Sequence, residues 1–108
     1  SPLDGAYIKK IKTPPAVMVS YQDGDGKTFT SYAYEGLVSI FAKPDAEPDV
    51  RRAVEKNGGK IISALPKAGL YTVQVEPKRT AEFIKALHKS DVIEKAFPEM
   101  VIGPASAQ

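Results

Sequence analysis

Asn57-Gly58-Gly59-Lys60-Ile61-Ile62-Ser63-Ala64-Leu65-Pro66-Lys67-Ala68-Gly69-Leu70-Tyr71-Thr72-Val73-Gln74-Val75 is the stretch that decides the fold. Its first three residues stop a helix, because glycine after the last turn takes the left-handed conformation that closes helical ends. Residues 60–65 form a short apolar run of strand length. Residues 66–69 supply turn chemistry, with proline at the start and glycine at the end. In 70–75, Tyr71, Val73 and Val75 alternate with Leu70, Thr72 and Gln74, the period of two expected of a strand with two unlike faces. Helix stop, strand, turn, strand is the order that results.

Working upstream, residues 44–49 read as a helix start. Asp45 or Glu47 serves as the cap, Pro48 sits in the first turn and Asp49 lies near the positive end of the helix dipole. Val50, Ala53 and Val54 then fall at i, i+3 and i+4, one apolar stripe. Residues 37–42 before them make a short apolar strand. Downstream, Glu76-Pro77 closes the third strand, and 80–89 is a second amphipathic helix with Ala81, Ile84 and Leu87 inward and Phe83 as a further inward candidate. Residues 92–97 are a fourth strand that Pro98 ends. The tail 99–108 holds Gly103, Pro104 and small residues and is expected to be extended and mobile.

From Gly36 onward the succession is β-α-β-β-α-β, which predicts an α+β, ferredoxin-like two-layer sandwich over 36–101. Right-handed crossovers place both helices on one face of the sheet and leave the other open. Residues 1–35 form an N-terminal extension of different texture, basic between 7 and 15 and interrupted by Pro14-Pro15. Val17, Val19 and Tyr21 on one side of Asp23-Gly24-Asp25-Gly26, and Phe29, Tyr32 and Tyr34 on the other, read as a β-hairpin. Residues 102–108 are set apart as a flexible tail.

The chain has 108 residues, 43% hydrophobic and 26% charged, which suits one small folded domain. A net charge of +2 from 15 basic and 13 acidic residues is too balanced for a nucleic-acid partner. With no cysteine there is no disulfide, thiol nucleophile or cysteine metal site. No apolar run approaches the ~18 residues of a membrane span, and no signal peptide is recognisable. The chain begins at Ser1 without methionine, as expected of a processed or trimmed product.

Three segments carry a family resemblance. These are Phe41-Ala42-Lys43-Pro44-Asp45 with the helix behind it, the quoted stretch from Asn57 to Val73, and Asp91-Val92-Ile93-Glu94-Lys95-Ala96-Phe97-Pro98-Glu99-Met100-Val101. In order and spacing, residues 37–101 resemble the propeptide domains of subtilisin-like serine proteases. The resemblance implies a secreted or periplasmic domain without cofactor that assists the folding of a subtilisin-like protease, in cis or as a cognate partner, and then inhibits it. It further implies an open sheet face resting on two helices of the protease, with acidic groups capping those helices and the C-terminal tail lying in the cleft. Glu94 and Glu99 are the candidate capping acids, and Met100, Val101 and Ile102 the candidate cleft-binding tail. Phe97 and Lys95 stand where the family more often has an acid and an aromatic, so one expected helix-capping carboxylate is absent, and residues 1–35 have no counterpart.

Side-chain alternation puts Leu37, Ser39 and Phe41 on the face opposite Val38, Ile40 and Ala42. Phe41, Leu70 and Thr72 are the candidate partner-binding residues of the open face. His88 stands alone among lysines, with neither a nucleophile in register nor a second histidine for metal, so no catalytic or metal residue is assigned. Asp23-Gly24-Asp25-Gly26 lacks the twelve-residue spacing of a calcium loop and reads as a turn. The competing reading is a non-inhibitory structural or interaction module of a larger exported protein, with the hairpin closing the open face.

Overall fold

Val50 and Val54, the stripe read from the sequence, become the buried side of a helix in the computed structural model, which describes residues 1–22 and 24–101. The described elements are β1 (Tyr7–Ile8), β2 (Ala16–Gln22), β3 (Thr28–Ala42), α1 (Glu47–Lys56), β4 (Lys60–Leu65), β5 (Leu70–Gln74), α2 (Thr80–Leu87) and β6 (Ile93–Met100). All strand pairings are antiparallel, and the strands join in one six-stranded sheet. The architecture is α+β. No described helix is long and apolar enough to cross a membrane.

Strands follow the order β1-β4-β5-β3-β2, and β6 also pairs with β3. Residues 38–41 of β3 pair with both β5 and β6, so these two flank β3 on opposite edges. Val38, Ile40 and Ala42 of β3, Tyr71 and Val73 of β5, Ile61 and Ala64 of β4, and Ile93 and Ala96 of β6 share one buried cluster with Val50, Val54, Phe83 and Leu87. Both helices therefore cover the same face. Each large side chain sealed in this layer contributes roughly 1.5–3 kcal/mol over exposure.

Several local expectations are corrected. Neither Asp45 nor Glu47 caps α1: the cap position is Ala46, without a side-chain bond. Asp45 instead holds its N–H on the Pro66 carbonyl (2.9 Å) and its carboxylate near Lys67 (3.2 Å), while Glu47 pairs with Arg51 (3.0 Å). In α2, Phe83 and Leu87 are buried, Ile84 is half-buried and Ala81 is exposed. The Phe83 ring lies against Gly59, where an added Cβ would be 2.7 Å from it. The missing side chain leaves room for the large ring.

The strand expected over 37–42 is the second half of a 15-residue strand. Gly36, at φ +75°, marks the joint, and a Cβ there would approach the Val75 carbonyl oxygen to 2.7 Å. The register of β3 against β6 shifts between Ala33 and Val38, so β3 carries extra residues at this bend. Main-chain bonds show the effect. Glu35 donates to the Pro15 carbonyl, so odd residues before the bend face β2. Val75 donates to Gly36 and Ala42 to Gly69, so even residues after it face β5. The bend thus lets β2 and β5 lie end to end along one edge of β3.

Pro98 does not end the last strand either. β6 runs through it to Met100, and the Val101 N–H donates to the Tyr32 carbonyl (2.9 Å). Odd residues of β3 after the bend face β6, so Phe97, opposite Ser39, makes the ladder bonds. The Pro98 nitrogen then points to the outer edge, where a missing N–H leaves no bond unmade. Residues 99–101, expected as part of a mobile tail, are stitched to the sheet.

Candidate functional site

Alternation fixes what lies on the face away from the helices. β3 contributes Leu37, Ser39 and Phe41, β5 contributes Leu70 and Thr72, and β6 contributes Lys95, Phe97 and Glu99. The predicted hairpin forms between β2 and β3, with Gln22 opposite Thr28, and Asp23 of its turn lies outside the described residues. It extends the sheet along β3 rather than folding over this face. The face is shared out in another way.

One half lies under the N-terminal arm. β1 pairs with the outer edge of β4, and the Lys9 N–H donates to the Ile62 carbonyl (2.6 Å). Arg51 ties this edge to α1 by donating to the Tyr7 hydroxyl (3.0 Å). From there the chain returns toward β2, so that Lys9, Ile11 and Pro14 form a wall over Leu37, Ile62, Thr72 and Glu99 around a groove of about 410 Å3. Leu37 and Ile62 are buried yet belong to no part of the helix-side core. A side-chain hydrogen bond with Lys60, and after it the like charge of that residue, lowers the Lys9 pKa.

The other half is uncovered. Phe41 is 43% exposed and Leu70, directly across the strand pair, 36%. The Phe97 ring stands 5.5 Å from that of Phe41 at 49°, within the favourable range for tilted aromatic pairs. Thr72 sits opposite Ser39, and with Ser63 and Leu65 these residues line a shallow depression of about 260 Å3. Ser39 donates to the Glu99 carboxylate, which fixes the acid at the boundary between the two halves.

Of the residues singled out in the sequence, Phe41, Leu70 and Thr72 come together here, with Glu99 beside them. Glu94 does not join them. It is exposed at a register shift of β6 and lines a separate depression with His88, Lys95 and Phe97. Met100 pairs opposite Ala33, and Val101 is bonded to Tyr32, so both run beside the first half of β3. Ile102 and the rest of the tail, 103–108, lie outside the described residues.

Sequence reasoning missed Ser39 as the residue that holds Glu99, because the expected strand ends at Pro98, before the acid. It missed the arm for a different reason. Pro14-Pro15 signals an extended, irregular segment, but no local pattern says what that segment lies against. Behind the face, the Tyr71 hydroxyl is buried with no hydrogen-bond partner among the described residues. Burial, followed by the Glu47 charge, pushes its pKa up.

No protein-family model, curated protein or solved structure matches this chain.

Proposed function

We propose that this chain is a non-enzymic protein-binding domain of the subtilase-propeptide kind, exported, acting as an inhibitor or folding assistant of a subtilisin-like serine protease. The observation that carries this reading is the uncovered apolar half of the sheet, where Phe41, Leu70 and Phe97 stand together. Apolar surface removed from water yields about 25 cal/mol per Å2, and a cluster of aromatic and aliphatic anchors with a polar rim is the composition of a binding hot spot. Ser39, Thr72 and Glu99 supply that rim. A carboxylate so held is suited to the positive N-terminus of a helix on the other protein.

The β-α-β-β-α-β succession from Gly36 and the order β4-β5-β3-β6 support a ferredoxin-like topology for this unit. In the propeptide reading the chain beyond Val101 reaches the protease cleft. One observation favours a second reading, a structural or interaction module: the arm already buries Leu37 and Ile62, as a module completing its own surface would.

Titration against a panel of subtilisin-like proteases tests the first reading. Inhibition between nanomolar and micromolar is expected, weakened ~10-fold or more by Phe41→Glu, while the free variant keeps its unfolding midpoint. Absence of inhibition by the native chain transfers the function to the second reading, as does a steep loss of stability in the variant.

A further inference from the structure

We propose that a second copy of this chain pairs with β2, strand against strand and antiparallel, forming a weak two-fold dimer. The three edges of the sheet are protected very differently. The outer edge of β4 is occupied by β1 and flanked by Lys9 and Lys60. The outer edge of β6 carries Glu94, Lys95, Pro98 and Glu99 in its sequence. Charge and proline of this kind are the usual guards against edge-to-edge pairing. β2, read as Ala-Val-Met-Val-Ser-Tyr-Gln, has neither over seven residues.

The free groups of β2 are in register for pairing. The bond from Glu35 to Pro15 makes the odd residues of β2 the ones bonded to β3, so the main-chain groups of Met18, Ser20 and Gln22 point outward. Among the described residues no main-chain bond from outside the β2–β3 ladder reaches them.

The side chains argue for a copy of the same chain as the occupant. Met18 is 64% exposed and lies opposite Tyr32, which is 57% exposed, on the same face of the sheet. Two copies related by a two-fold axis at Met18 would form one continuous apolar stripe, Tyr32, Met18 and then their counterparts. Such a stripe is complementary to itself, as an isologous contact requires. No charge on the strand meets its own image across the axis. One strand pair covers less than the ~800 Å2 per partner of a standard interface, so the dimer dissociates readily. β2 lies beyond the bend at Gly36, so this pairing leaves Phe41 and Leu70 free.

Sedimentation of the native chain from about 10 μM to about 1 mM tests the proposal, with weak dimers expected to form in that range. The mass should rise toward twice that of one chain. Met18→Lys sets two like charges against each other at the axis and should weaken association ~10-fold or more. Ser20→Pro removes an outward N–H, which an edge strand tolerates, and should have the same effect, with circular dichroism confirming that both variants fold. A native chain that stays monomeric throughout overturns the proposal. A dimer that survives both variants, or is lost in Phe41→Glu instead, overturns it as well.

Discussion

The two halves of β3 share a strand and differ in almost everything else. After the bend, Val38 and Ile40 have strands on both edges and two helices over them, and neither has any exposed surface. Before it, Thr28, Phe29 and Thr30 also have hydrogen-bonded neighbours in β2, yet all are exposed, and Ala33 is the first buried residue. Ladder hydrogen bonds are present in both halves, so they do not account for the difference. Net hydrogen-bond stabilisation is small because water offers the same bonds to the unfolded chain, whereas burial under the helices removes apolar surface from water. The far end of the hairpin, residues 28–30, therefore gains little from burial.

Breaking the buried half should have the largest effect. Ile40→Ala leaves a cavity in the middle of the core and should destabilise the domain by about 2–5 kcal/mol, read as a lower denaturant midpoint with an unchanged slope. The joint comes next. Gly36→Ala puts a methyl against the Val75 carbonyl at a positive φ, and a loss of about 1–3 kcal/mol is expected. The same variant should loosen β2 relative to β5, visible as faster amide exchange in the hairpin than in the core. The smallest effect belongs to the first half itself: Tyr32→Ala should change stability by no more than about 0.5 kcal/mol in dilute solution. A Tyr32→Ala loss as large as that of Ile40→Ala would mean that the hairpin shares the core's stability, and the distinction between the halves would fall.

Much of the buried half was legible. Val50 and Val54 at helical spacing, the alternation of Tyr71, Val73 and Val75, and the stop at Asn57-Gly58-Gly59 each rest on local geometry that neighbouring residues set. The errors fall where a local signal was outweighed by distant groups. Pro98 is a strand breaker in isolation, and its position on an outer edge removes the objection. Asp45 has the chemistry of a cap, yet the carbonyl of Pro66 and the ammonium of Lys67 engage it first. Phe83 packs where Gly59 leaves a space beside Val73, a space that the helix sequence does not encode.

The candidate site divides in the same way. Phe41, Leu70 and Thr72 were placed on one face by alternation alone, which needs no knowledge of what the face meets. Glu99, a candidate capping acid at the start of the expected tail, is held by Ser39, sixty residues away in sequence. The fate of that face, half beneath the arm and half open, was written in no periodicity.

By itself, then, the sequence determined the number and order of elements from Gly36 onward, the face each apolar strand residue from 37 to 42 and 70 to 75 takes, and the existence of an open side to the sheet. These follow from steric and hydrogen-bonding rules that act over a few residues. Only the tertiary structure decided that β3 runs unbroken through Gly36, that β6 continues past Pro98, and that residues 9–14 lie over Leu37 and Ile62. Each of those depends on which groups meet across long separations, where the free energy of contact outweighs a local preference of about a kilocalorie.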